Sequence, residues 1–204
     1  MIAAMTTLIL GLVLFLGIHS VRLFADRLRA RFLAARGLNA WKGLYSLVAL
    51  AGFVLICIGF GQARQTPWVL WSPPRWTHDL AALFTLVAFV LVTAAYVPAN
   101  GIKARVKDPM ILGVKCWAAG HLLANGTLAD VVLFGSFLAW AVLDFRAARQ
   151  RRRAGTEPAI GPVKRGRSAV VVVVGVLAWM LFALHLHQPL IGVAPFPGFH
   201  GIGH

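Results

Sequence analysis

Acidic side chains are scarce in this chain. Six Asp and Glu stand among 204 residues, and all charged residues together make up 13%. A soluble domain carries about 25% charged and about 45–50% apolar residues. Here 59% of the residues are hydrophobic and the mean hydropathy is +0.78. That balance excludes a soluble globular domain and excludes disorder, and it predicts an integral membrane protein forming a single domain over residues 1–204. So few carboxylates leave no pair for general acid–base work. No nucleophile–base set, phosphate-binding glycine loop or zinc signature is visible, so a hydrolase has no support. The two cysteines, Cys57 and Cys116, lie in apolar runs without a Cys-x-x-Cys partner, which excludes a disulfide framework and a zinc knuckle. No basic residue precedes Arg22, so the opening MIAAMTTLILGLVLFLGIHSVR lacks the basic start of a secretory signal and reads as a retained first span.

What is present is apolar length. At about 20 residues per spanning helix, the runs predict an all-α, polytopic membrane helical bundle of about six transmembrane helices. Span one is Ile2–Val21, span two Gly43–Ala63, span three His78–Ala99 and span six Ser168–His187. Two shorter runs, Pro109–Ala124 and Leu128–Leu143, are joined by Asn125-Gly126-Thr127 and are expected as spans four and five, packed as a tight helical hairpin. Asp108 before Pro109 suits a helix N-cap followed by proline at the first helical position. Thr127-x-x-Asp130 has the form of a capping box. Gly126 is expected in the left-handed conformation that ends a helix.

Charge sets the orientation. The connections after spans one, three and five hold 17 of the 20 basic residues, and Lys115 can snorkel to the same face. Only Arg64 and Arg75 fall on the other side. By the positive-inside rule, both termini then lie outside the cytoplasm. The net charge of +14 is thereby read as a topology signal, with the lipid bilayer rather than nucleic acid as the partner. Residues 146–167 read as a flexible basic cytoplasmic loop drawn to anionic lipid. Residues 188–204 read as a Pro/Gly-rich tail along the outer interface.

Seven histidines are the richest source of chemistry. Ionisable groups within a bilayer are costly and usually face the bundle interior or a cavity, which singles out His19 and His121. Imidazole is a good ligand for haem iron, and one histidine from each of two spans is the minimum for a bis-histidine haem. An interhelical hydrogen bond is the plainer use of either residue. Their depths differ: His19 is near the inner end of span one, whereas His121 lies 12 residues beyond Pro109, about 18 Å up the helix. A tilted or displaced first span would bring them level. His78, His185 and His187 lie near the outer face, as interfacial anchors or an outer metal or proton site. His200 and His204 are in the tail. Trp68, Trp71 and Trp76 read as an aromatic belt. Gly113, Gly120 and Ala124 form a small-residue stripe suited to close helix packing. Cys116 reads as a buried apolar residue, and Asp130 as a cap rather than a proton carrier.

Several motifs together are family-specific. They are His19-Ser20-Val21-Arg22, the block Lys107-Asp108-Pro109-Met110 through Trp117-Ala118-Ala119-Gly120-His121 to Gly126, its continuation Leu133–Trp140, and the closing Leu190-Ile191-Gly192-Val193. Over nearly the whole chain these resemble the NnrU family of bacterial inner-membrane proteins. The resemblance implies the inner membrane, a link to nitrite and nitric oxide metabolism in denitrification, and respiratory or nitrogen-oxide reductase components as partners. NnrU proteins are in turn similar to zeta-carotene isomerase, a haem-dependent membrane enzyme whose ligating histidines match His19 and His121. That similarity implies haem b held by His19 and His121. The isomerase has a cysteine three residues before its second histidine. This chain has Ala118 there, and Cys116 sits about 200° away around the helix, so ligand switching by cysteine is not implied. Asp108 stands where related proteins often have histidine. Two alternatives follow: a haem-dependent isomerase of a polyene, with a long apolar groove between spans, and a non-enzymatic accessory protein for assembly of a respiratory complex. A nitric oxide reductase catalytic subunit would need more intramembrane histidines. The short hairpin and the basic-Pro entry to span four are also similar to membrane isoprenylcysteine methyltransferases, without a visible S-adenosylmethionine set.

Overall fold

The computed structural model describes residues 2–156, 161–193 and 195. His200, His204, Pro158 and the end of the 188–204 tail lie outside the described residues. Of the described residues 81% are helical, and they contain no strand beyond an isolated bridge between Val69 and Thr127. In chain order the helices are α1 (Ile2–His19), α2 (Val21–Phe24), α3 (Asp26–Ala63), α4 (Trp76–Tyr96) and α5 (Gly101–Val106). They continue with α6 (Pro109–Ala124), α7 (Leu128–Arg153), α8 (Arg167–Leu181), a π-helical turn Phe182–Leu186 and α9 (His187–Ile191).

Five of these segments are long and apolar enough to cross a membrane: α1, α3, α4, α7 and Arg167–Ile191. Helix α6, expected as the fourth of about six spans, is apolar but has only 16 residues. That is about 24 Å of helix, short of the roughly 30 Å hydrocarbon core. Large apolar side chains such as Leu47, Val13 and Val173 stay more than half exposed, as lipid-facing residues do.

Three boundaries differ from expectation. Helix α3 begins well before Gly43 and contains one break, at Gly37 (φ 79°, ψ 172°). That backbone conformation is open to glycine, so residues 26–36 form a separate basic helix leading into the span. Helix α7 runs on to Arg153, so Arg146–Arg153 are helical and the basic loop begins at Ala154. Arg, Ala and Gln are good helix formers, and propensity outlasts the apolar run. Gly126 is not left-handed. The end of α6 is instead closed by Asn125, whose backbone N–H and side-chain Nδ2 both donate to the His121 carbonyl, at 3.0 and 2.8 Å.

The chain divides into two compact units, Met1–Trp71 with Thr127–Ala147, and Ser72–Gly126 with Ala148–His204. In the first unit α1 and α3 meet backbone to backbone. A Cβ on Gly11 would lie 2.5 Å from the Ile56 nitrogen, and one on Gly52 would lie 2.6 Å from the Phe15 nitrogen. Leu8, Leu12 and Ile56 are buried at this seam. Phe134 of α7 packs on Phe60, and Phe137 on Phe15. The capping box forms as expected: Thr127 N–H and Oγ1–H donate to Asp130 Oδ2 at 3.0 and 2.6 Å, and Asp130 N–H donates to Thr127 Oγ1 at 3.3 Å.

The second unit repeats the same solution. Gly113 and Gly120 face α4, where added Cβ atoms would lie 3.1 Å from the Ala88 oxygen and 2.8 Å from Phe84 Cβ. The stripe therefore serves packing. Gly175 of α8 rests on Val90, and Trp179 Nε1 donates to Thr85 Oγ1 at 3.0 Å. Buried Asn100 ties the end of α4 to α5, donating to the Ala94 and Val97 carbonyls and accepting from Lys103 N–H. Asp108 occupies the N-cap position of α6 with Pro109 next, but its carboxylate makes no cap bond. It pairs instead with Arg152, both side chains mostly buried.

Candidate functional site

His19 is the last residue of α1 and half-buried. Its Nδ1 lies 2.6 Å from the carbonyl oxygen of Phe15, one turn earlier. A carbonyl only accepts, so Nδ1 carries the proton and Nε2 keeps its lone pair in the neutral ring. Three aromatic rings surround it. Phe15 stacks at 4.3 Å between centroids, Tyr45 of α3 approaches edge-on at 5.2 Å, and Trp140 of α7 stands nearly perpendicular at 6.1 Å. Each comes from a different helix, so the cage is a product of the packing of the first unit.

His121 lies in the last turn of α6 in the second unit and repeats the local chemistry. Its Nδ1 is 2.8 Å from the Trp117 carbonyl oxygen, and the Trp117 ring lies 5.3 Å away. Both histidines thus use the i−4 carbonyl of their own helix to fix one tautomer, the arrangement that orients an imidazole for metal ligation through Nε2. The two belong to different units, and each has its own surroundings.

Among the described residues no group of three or more His, Cys, Asp or Glu could hold a metal ion. His78, His185 and His187 therefore form no outer metal cluster. His187 Nδ1 instead meets the Val193 carbonyl at 2.7 Å. A bare divalent ion commonly needs about four protein ligands. Haem brings four equatorial donors of its own and asks the protein for one or two axial ones. A histidine in either unit, taken singly, has the chemistry of one axial haem ligand.

Beside the cage, the first unit carries an open groove of about 540 Å³ along α1 and α7. Ile9, Val13, Leu16, Val132 and Leu143 give it apolar walls. Ser20, Ser136 and Trp140 also line it. Trp140 Nε1 is buried with no hydrogen-bond partner among the described residues. Leaving such a donor unpaired costs about 1–3 kcal/mol. The Ser20 hydroxyl makes no cap bond. Thr6, Thr7, Thr85 and Thr93, by contrast, all bond back to carbonyls of their own helices. Sequence reasoning assigned no role to Ser136 or Trp140. Their four-residue spacing, which shares one helix face, was the available signal.

Apolar helices of spanning length, packed through glycine seams with lipid-facing exteriors, define a multi-pass helical membrane protein. A family model described as NnrU protein matches residues 7–195, and the chain belongs to the NnrU family. No curated protein and no solved structure matches it.

Proposed function

We propose that this chain is a bacterial inner-membrane protein of nitrite and nitric oxide metabolism that binds haem b through His19 and His121. One observation carries the reading: both intramembrane histidines donate Nδ1–H to the carbonyl one turn earlier, which holds Nε2 in the ligating state. Haem bound there would supply a redox couple, and a small ligand such as nitric oxide would reach the iron only in exchange for one of the two histidines. The chain's own contribution is orientation and exclusion of water. Phe15, Tyr45 and Trp140 restrict the His19 ring, and Trp117 flanks His121. With α6 counted as a short sixth crossing, the basic connections favour a topology with both termini periplasmic. Respiratory or nitrogen-oxide reductase components are the partners this role calls for.

The polyene-isomerase alternative asks for a long apolar groove, and the groove along α1 has apolar walls. The Ser20 and Ser136 hydroxyls in its lining, however, would find nothing to bond in a hydrocarbon, so the first reading is preferred. The test is the absorption spectrum of the detergent-purified protein, oxidised and reduced, beside His19→Ala and His121→Ala. A Soret band that both substitutions abolish or shift establishes the ligand pair, and nitric oxide titration then addresses sensing or redox. A folded protein with no Soret band after expression with ample haem refutes the proposal and leaves the accessory role.

A further inference from the structure

The groove along α1 and the basic helix at 26–36 belong to one unit, and the groove lining runs to Ala25, just before that helix. From Ile9 to Ser20 the groove extends about 16 Å along the helix, from mid-span to the end of α1. Toward that end the groove is lined by Trp140 and by Ser20 and Ser136, whose hydroxyls have no hydrogen bond among the described residues. Next in the chain, Arg27 and Arg31 share one face of the helix at 26–36, exposed and with no ion pair among the described residues, while Arg29 engages Asp26. Phe24, 76% exposed, sits between groove and arginines.

An occupant must therefore combine three features: a long apolar chain, oxygen acceptors at one end, and negative charge past them. A polyene lacks the second and third, and an isoprenoid quinone lacks the third. We propose that the groove is a binding site for an anionic phospholipid of the inner leaflet. One acyl chain lies along α1, the ester oxygens accept from the two serines, and the phosphate faces the arginines. Interfacial tryptophan and juxtamembrane arginine are suited to this depth and charge.

The site can be filled without disturbing the fold. Gly17 lines the groove, and a Cβ there would have nothing within 4 Å. The experiment uses the delipidated full chain in detergent, with phosphatidylglycerol or phosphatidylcholine added back and bound lipid counted by native mass spectrometry. The wild type is expected to retain one phosphatidylglycerol at least roughly tenfold more tightly than phosphatidylcholine, since each lysine or arginine near an anionic surface contributes several-fold. Gly17→Leu is expected to lose that lipid with unchanged helicity. Ser20→Ala/Ser136→Ala, which removes both donors, weakens it roughly fivefold. Replacing Arg27 and Arg31 by Gln removes the headgroup preference. Equal retention of the two lipids by the wild type overturns the proposal. So does wild-type binding in Gly17→Leu or Ser20→Ala/Ser136→Ala, or a quinone or polyene as the bound mass. Should Gly17→Leu lose helicity, Ser20→Ala/Ser136→Ala decides.

Discussion

A single methyl group on α1 offers a sharp test of how the first unit is held together. In Gly11→Ala the new Cβ would lie 2.5 Å from the Ile56 nitrogen, 2.8 Å from the Gly52 oxygen and 2.9 Å from the Leu55 carbonyl carbon. All three are backbone atoms, so no side chain can swing aside. The helices must separate by about 1 Å, forfeiting contacts along the seam, and overpacking of this kind costs about 1–3 kcal/mol. Gly17→Ala on the same helix is the matched control, with nothing within 4 Å of its Cβ. Both substitutions gain up to about 1 kcal/mol of helix propensity, which cancels between them. The two alanine variants should therefore differ by about 1–3 kcal/mol, Gly17→Ala being the more stable. Unfolding in detergent, titrated with a denaturing detergent and followed by far-UV circular dichroism, measures that gap. Because His19 closes α1, Gly11→Ala should also loosen the aromatic cage and change the tryptophan fluorescence. Equal stability of the two variants would refute the backbone-to-backbone seam.

Two further predictions concern polar contacts. Asp108→Ala leaves Arg152 without its carboxylate in a mostly buried place. The expected loss is about 2 kcal/mol, with part recovered in Asp108→Ala/Arg152→Ala; a thermal-melt double-mutant cycle with no coupling energy would show that the pair contributes nothing. Thr127→Ala removes one half of the capping box at the start of α7 and should cost about 0.5–2 kcal/mol. Thr127→Ser, which keeps the hydroxyl, should stay near wild type in the same melts, and parity of the two variants would argue against a role for the cap.

Signals written within one or two helical turns were legible. The capping box at Thr127 and Asp130, proline at the start of α6 and the packing use of Gly113 and Gly120 all depend on spacing along one helix, and the structure has each of them. The i−4 bonds of His19 and His121 are equally local, although only the coordinates reveal them. Expectation failed where two local signals compete. The charged run Arg146–Arg153 reads as loop by hydropathy and forms helix by propensity. Gly126 is free to turn left-handed, but Asn125 satisfies the same carbonyl first.

By itself the sequence determined the class of this protein, because hydropathy and charge sum along the chain without regard to where distant parts meet. A chain 59% hydrophobic with six carboxylates must bury its surface in lipid. Its motifs likewise sufficed for the NnrU family. Tertiary structure alone decided which side chains share a site. Phe15, Tyr45 and Trp140 converge on His19 from three helices, and Asp108 finds Arg152 across a long stretch of chain. The unpaired Trp140 N–H is also invisible in sequence, since a missing partner is a property of everything packed around it. Such contacts depend on how closely the glycine seams let the helices approach, and no spacing along the chain encodes that distance.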